Sequence, residues 1–164
     1  MKKQYLFLLV VVGLVALGAP AVAHANTPSN TWVHNGWSVY MRFDYTNDVA
    51  SSTTIWDQPV KWYLKINRSD GTIVIPKATW TLLGHGYQKN GIWWNGTNTP
   101  LNGTPTVNHL YTSTKYNAIW INTYPPLLSY WGIKVAVTWH RGGNANQTDI
   151  YSGKLNHGSF TWTP

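Results

Sequence analysis

Cysteine and glutamate are both absent from this chain of 164 residues, and its five acidic residues are all aspartates. Without cysteine there can be no disulfide bonds, so burial of apolar surface must stabilise the fold. Charged residues make up 10% of the chain, against roughly 25% in a typical soluble domain. In their place the chain has 11 Trp and 10 Tyr. These rings must either fill a core or form a flat surface that binds a ligand.

The few carboxylates argue against catalysis. Glycoside hydrolysis usually requires two carboxyl groups about 5 to 9 Å apart. Asp70 belongs to an Asp-Gly turn and Asp48 to a polar run, which leaves three aspartates, none in a recognisable motif: Asp44, Asp57 and Asp149. There is no G-x-S-x-G sequence for a serine hydrolase and no thiol nucleophile. We therefore expect that the protein is not an enzyme.

Metal-binding spacing is also missing. The histidines of the predicted domain are isolated from one another, at His34, His85, His109, His140 and His157. None forms the H-x-H or H-E-x-x-H pattern of a zinc site, and no calcium-loop pattern occurs. We interpret these residues as hydrogen-bonded surface groups and expect no metal and no cofactor.

The N-terminal segment has the pattern of a secretory signal peptide. Lys2 and Lys3 precede an apolar run from Leu6 to Leu17, and Ala23-His24-Ala25 fits the small-x-small cleavage pattern. The run is shorter than the ~20 residues needed to span a membrane. We therefore predict a signal peptide at 1–25 and a single secreted domain at 26–164. The short leader and the absence of cysteine favour a bacterial source.

The formal net charge of +7 favours an anionic partner, such as a cell-wall polymer, an acidic polysaccharide or lipid headgroups. The basic residues are spread along the chain without a polybasic run, so their role could equally be solubility. Nucleic acid is not expected as a partner, because the chain carries an export signal and has few arginines.

Alternating apolar and polar residues predict β-strands. The pattern is clearest in three segments, at 37–45, 60–67 and 131–140. The segment 60–67 is followed by Asp70-Gly71 and a second short run, 72–75, which predicts a β-hairpin. Further strands are predicted at 78–83, 106–111, 116–124, 148–152 and 159–163.

The segment 84–105 is rich in glycine and asparagine, and we interpret it as loop with one short insert, Ile92-Trp93-Trp94. Short strands separated by turns, with no helical periodicity, predict an all-β fold. We expect an antiparallel, immunoglobulin-like β-sandwich, with a small β-barrel as the alternative.

The aromatic residues divide into two groups. Four tryptophans lie on apolar strand faces and are predicted to be core, namely Trp37, Trp62, Trp131 and Trp139. Six residues on polar faces or in the predicted loop are candidates for an exposed ligand-binding platform: Trp93, Trp94, Trp120, Tyr124, Tyr40 and Tyr63. The alternative is that these six pack under the long loop as a small second core.

These observations predict a secreted, non-enzymatic domain that binds an extracellular or cell-wall polymer, most simply carbohydrate, through Trp and Tyr. A second hypothesis is a cationic antimicrobial or membrane-active toxin, because Trp and Tyr favour the lipid interface. A third is a matrix or structural protein that self-associates through exposed strand edges.

Overall fold

A computed structural model describes residues 24–124 and 129–164, in which all regular structure is β-strand. The strands are β1 (His24–Asn26), β2 (Ser29–His34), β3 (Trp37–Ser51), β4 (Thr54–Arg68), β5 (Ile73–Tyr87), β6 (Trp93–Gly103), β7 (Leu110–Ser113), β8 (Ile121–Asn122), β9 (Tyr130–Arg141), β10 (Gln147–Asn156) and β11 (Ser159–Thr163). Of the predicted signal peptide, residues 1–23 lie outside the described residues, and the last two belong to β1. The described residues contain no apolar helix of membrane-spanning length.

The strands form two antiparallel sheets that pack face to face. In sheet A, β3 pairs with β4, β1 and β2 border β3, and β7 and β8 border β4. Sheet B has the order β11-β10-β9-β5-β6. The sheets do not close into a barrel, so the antiparallel β-sandwich is confirmed and the barrel alternative is wrong. Below, the outer face of a sheet is the side turned away from the other sheet.

The core lies between the sheets and is built from the predicted apolar faces. In sheet A it includes Trp37 and Trp62, and in sheet B it includes Trp131 and Val135. Trp139, the fourth predicted core tryptophan, is half-buried and packs against this cluster. The alternation of apolar and polar residues predicts this core correctly because each strand has one side facing the opposite sheet and the other facing solvent.

The predicted hairpin around Asp70-Gly71 is wrong. β4 belongs to sheet A and β5 to sheet B, so the turn carries the chain across the sandwich instead of joining two paired strands. Asp70 accepts hydrogen bonds from the backbone N–H and the hydroxyl of Thr72. The Asp70 N–H also donates to the Gly36 carbonyl in the β2–β3 turn. These bonds hold the turn at the end of the sandwich, where both strands direct their apolar residues into one core.

The prediction of a loop over 84–105 is also wrong, because β5 continues to Tyr87 and β6 begins at Trp93. Two glycines of this segment leave space for neighbouring side chains. A Cβ on Gly84 would lie 2.2 Å from Cε3 of Trp131, and one on Gly96 would lie 2.2 Å from Cη2 of Trp94. Glycine is therefore required beneath these two indole rings, within strands that would otherwise disfavour it.

Two other predictions need correction. The alternation of the segment 60–67 placed Val60 on the same side as Trp62, but a register shift in the β3–β4 pairing leaves Val60 exposed. The predicted strands at 106–111 and 116–124 are much shorter, as β7 and β8. β8 nevertheless connects the sheets: Ile121 pairs with Asp57 of sheet A and forms a bridge with Gln88, just after β5.

Candidate functional site

The six predicted platform residues do not share one surface. Tyr40 and Tyr63 lie half-exposed on the outer face of sheet A. The Arg42 guanidinium lies 4.9 Å from the Tyr63 ring centroid, and the Lys61 ammonium lies 5.3 Å from it. Arg42 donates two hydrogen bonds to Asp44, the shorter of 2.6 Å, which raise the pKa of Arg42. On this face, two cations therefore lie close to the Tyr63 ring, and one of them, Arg42, is bound to Asp44.

Trp93 and Trp94 lie on opposite sides of β6. Trp94 faces inward, where its ring centroid is 5.3 Å from that of Trp131 and 4.9 Å from that of Tyr116. Trp93 faces outward and is 42% exposed. The two residues therefore have different environments: Trp94 packs against the core, whereas Trp93 lies on the outer face of sheet B.

Trp120 and Tyr124 lie near the end of the sandwich where β8 joins the sheets. Trp120 is half-buried, with the Lys89 ammonium 4.4 Å from its ring centroid, and Lys89 also bonds Asp48 at 2.7 Å. The Tyr124 ring lies 5.3 Å from that of His157 in the β10–β11 turn. Neither ring is in contact with Trp93.

Around Trp93, the outer face of sheet B carries a row of rings that the sequence analysis did not single out. The aromatic row consists of Tyr87, Trp93, His85 and Tyr130. The ring centroids are 5.0 Å apart for Tyr87 and Trp93, 6.1 Å for Trp93 and His85, and 4.3 Å for His85 and Tyr130. Tyr87 is 48% exposed. The row therefore crosses three adjacent strands, β6, β5 and β9, near one end of the sheet.

Strand register holds the aromatic row together. Tyr87 is directly opposite Trp93, and His85 is directly opposite Tyr130. Residues opposite one another on one sheet face have Cβ atoms about 4.5 to 5.5 Å apart, close enough for ring contact. Contacts between rings contribute about 0.5 to 1.5 kcal/mol each beyond the area that they bury. The backbone and the neighbouring rings therefore hold these side chains in place before any ligand arrives.

A shallow depression adjoins the aromatic row. Its volume is about 240 Å³, and its walls include Leu83, Tyr130, Lys134, Ser152 and Lys154. Gly132 forms the floor: a Cβ there would come within 3.1 Å of the Tyr130 ring and 3.4 Å of Leu83. The Lys154 ammonium lies 4.5 Å from the Tyr130 ring centroid, and burial raises the pKa of the Tyr130 hydroxyl. An aromatic ring, a hydroxyl and two ammonium groups thus border one open hollow.

Two larger depressions lie at the opposite end of the sandwich, near the β2–β3 turn, with volumes of about 340 and 330 Å³. The aromatic side chains beside them are engaged with one another. The ring centroids of His34 and Trp37 are 4.4 Å apart, and those of Trp37 and Trp139 are 5.4 Å apart. The Trp139 indole N–H donates a hydrogen bond of 2.6 Å to Asp149. The exposed rings that a stacking ligand needs are instead found in the aromatic row.

Among the aspartates, Asp57 has the most unusual environment. It is fully buried, Thr123 donates a hydrogen bond to its Oδ2, and its Oδ1 has no partner. Burial raises the pKa of Asp57 to about 6, against the opposing effect of the hydrogen bond from Thr123. Within 24–124 and 129–164, no three His or Asp side chains cluster in a way that could hold a metal ion.

The sequence contained a signal for the aromatic row that the loop interpretation obscured. Leu83, His85 and Tyr87 continue the outward positions of β5, and Trp93 begins the outward positions of β6. The glycines interrupted this alternation only on the inner face. Tyr130, directly before the predicted strand 131–140, becomes part of the row through pairing with β5, which sequence alone does not specify.

The chain matches no protein-family model, and neither curated proteins nor solved structures provide a significant match.

Proposed function

We propose that the protein is a secreted, non-enzymatic domain that binds an extracellular or cell-wall polymer, carbohydrate in nature, on the outer face of sheet B. The observation that carries the proposal is the aromatic row, with Trp93 and Tyr87 exposed and a hollow floored by Gly132 beside them. Secretion rests on the signal-peptide pattern at 1–25.

Sugar rings combine an apolar face with hydroxyl groups at the edge, and the site offers partners for both. Indole and phenol rings provide flat apolar area together with a polar atom. Ser152 beside the hollow, and Thr97 and Thr81 on the same outer face, supply hydroxyl groups. Because Trp and Tyr have only two side-chain torsions and these rings already contact one another, little entropy is lost on binding.

The test is the double variant Tyr87→Ala, Trp93→Ala. Ring stacking contributes roughly 1 to 3 kcal/mol per ring on the scale known for bases on aromatic side chains. The variant should therefore lose at least about tenfold in affinity for insoluble glycans or purified cell walls, measured by depletion binding. The variant should remain folded, with a melting temperature only a few degrees below that of the parent, because both rings lie on an outer face and contribute little to the core.

The matched control is Tyr40→Ala, Tyr63→Ala, which removes two half-exposed rings from the outer face of sheet A. This control should bind glycans like the parent. Equal losses in the two double variants, or parental binding by the Tyr87/Trp93 variant, would contradict the assignment to sheet B.

One observation favours the membrane-active alternative as a second candidate. Ile92 is 61% exposed, directly before Trp93, and Lys89 lies in the same β5–β6 turn. Apolar, aromatic and cationic side chains side by side suit a lipid interface. Anionic vesicles loaded with a dye separate the candidates. Leakage that is lost in Ile92→Ser, together with no glycan binding by the parent, would favour the membrane.

A further inference from the structure

The outer face of sheet B has an unbalanced charge. Lys77, Lys134 and Lys154 all lie on this face, as their register with β9 and β10 requires. No aspartate faces outward from the described residues of sheet B: Asp149 pairs with Val137 on the inner side and accepts the Trp139 indole N–H. None of the three lysines forms a salt bridge within 24–124 and 129–164.

Unlike this face, the outer face of sheet A carries an aspartate, Asp44, although its Lys61 and Lys65 also form no salt bridge within the described residues. Arg42 is bound to Asp44 at 2.6 Å on its outer face, and Lys89 reaches Asp48 at 2.7 Å. At the opposite end of the sandwich, Arg141 lies 3.4 Å from Asp70. Three of the five aspartates therefore pair with cations elsewhere, which leaves a positive potential on the outer face of sheet B.

Two of the unpaired lysines border the hollow beside the aromatic row. Lys134 is directly opposite Ser152, and Lys154 is directly opposite Gly132. The two lysines are therefore diagonal neighbours, a relation in which side chains stand about 7 to 8 Å apart. Both can reach one ligand group seated over Gly132, while the Tyr130 ring forms an adjacent wall. The arrangement fits a ring that has an apolar face and carries an anionic substituent.

We infer that the polymer is an acidic polysaccharide and that Lys134 and Lys154 pair with the anionic group of a sugar unit seated over Gly132. This inference rests on the proposed function and adds the charge class and the residues that select it. The shared chemistry is an anionic sugar unit, whether its charge comes from a uronate carboxylate or from a sulfate ester. The ammonium groups provide charge, and the aromatic row provides the stacking surface.

The experiment measures the affinity of the secreted protein for three soluble glycans: a polyuronate, a sulfated glycan and an uncharged glucan. Lys134→Gln, Lys154→Gln is compared with the control Lys61→Gln, Lys65→Gln, which removes the same net charge from the outer face of sheet A. The Lys134/Lys154 variant should lose about tenfold in affinity for the acidic glycan at low salt, and the control about twofold or less. In 1 M salt, where the Debye length falls to about 3 Å, parent and variant should converge.

A second pair of variants tests the proposed binding position over Gly132. Lys134→Arg, Lys154→Arg should retain acidic-glycan binding, because the charges are kept. Gly132→Thr should lose it, because the new side chain fills the hollow against Tyr130 and Leu83. The melting temperature of each variant establishes that it folds. Preference for the polyuronate or for the sulfated glycan identifies the source of the charge.

The outcomes separate the two proposals. Parental binding of the acidic glycans by the Lys134/Lys154 variant, or equal losses in the two lysine pairs, would overturn the inference. If the uncharged glucan still needed Tyr87 and Trp93, the proposed function would stand without it. Lysine-dependent binding that ignores Tyr87 and Trp93 would overturn the stacking proposal, and with it the inference that rests on it.

Discussion

The outer faces of the two sheets both carry half-exposed aromatic rings, but the charges beside the rings differ. On sheet A, Arg42 and Lys61 lie near Tyr63, and Asp44 holds Arg42. On sheet B, Trp93 and Tyr87 contact each other, and Lys77, Lys134 and Lys154 form no salt bridge with the residues that the structure describes. The two outer faces therefore differ in acid content: Asp44 lies beside the cations of sheet A, whereas no aspartate faces outward from the described residues of sheet B.

The inner sides of the two sheets also differ. The dependence of stability on pH tests that difference and is the prediction with the largest expected effect. Burial raises the pKa of Asp57 in sheet A to about 6, above its model-peptide value of 3.8. The folded state therefore binds the proton more tightly than the unfolded state. The resulting stabilisation is fully present below about pH 4 and is lost as the pH rises through about 6. It should amount to about 3 kcal/mol, since one pKa unit corresponds to about 1.4 kcal/mol.

Urea unfolding at pH 4.5 and 7.5 measures this effect. The parent should be more stable at the lower pH, and Asp57→Asn should remove most of the difference. Asp149→Asn, which changes the inward aspartate of sheet B, should retain the parental pH dependence. An unchanged pH slope in Asp57→Asn would contradict the assignment of this pH dependence to Asp57.

The two sides of β6 provide a smaller test, within sheet B. Trp94→Ala removes a half-buried ring that packs against Trp131, and it should lower the free energy of unfolding by about 2 kcal/mol, less than for a fully buried Trp. Trp93→Ala removes a 42% exposed ring with its contacts to Tyr87 and His85 and should cost about 1 kcal/mol. Chemical denaturation of the two single variants checks this. Equal losses would mean that Trp93 is structural and that the outer faces of the two sheets do not differ as described.

Removal of the predicted signal peptide should have the smallest effect on stability. Cleavage after Ala25 removes His24 and Ala25 from β1, which pair with Asn47 and Thr46 at the edge of sheet A. Of the described residues, cleavage removes only these two edge positions, and we expect stability to change by about 0.5 kcal/mol or less. N-terminal sequencing of the secreted product should begin at Asn26, and a product that still carries the leader would contradict the signal peptide.

Most of the fold could be predicted from the sequence, because a half-buried strand shows itself in its own alternation. The strands around Met41, Leu64 and Val135 are the clearest cases, and their apolar residues are buried as predicted. Prediction failed where a residue's role depends on a distant partner. Gly84 indicated a loop because the Trp131 ring above it is supplied by β9, a distant part of the chain.

The candidate site shows the same division. The sequence by itself determined that many aromatic residues and few acids would lie on a β-sandwich, since composition and alternation are local properties. Only the tertiary structure decided which rings meet. Trp93 joins Tyr87 and His85 because β5 pairs with β6, and Tyr130 joins them because β5 pairs with β9. Pairing between strands is set by packing across the whole core, so the neighbours of Trp93, and the lysines beside them, appear only once the sheets are assembled.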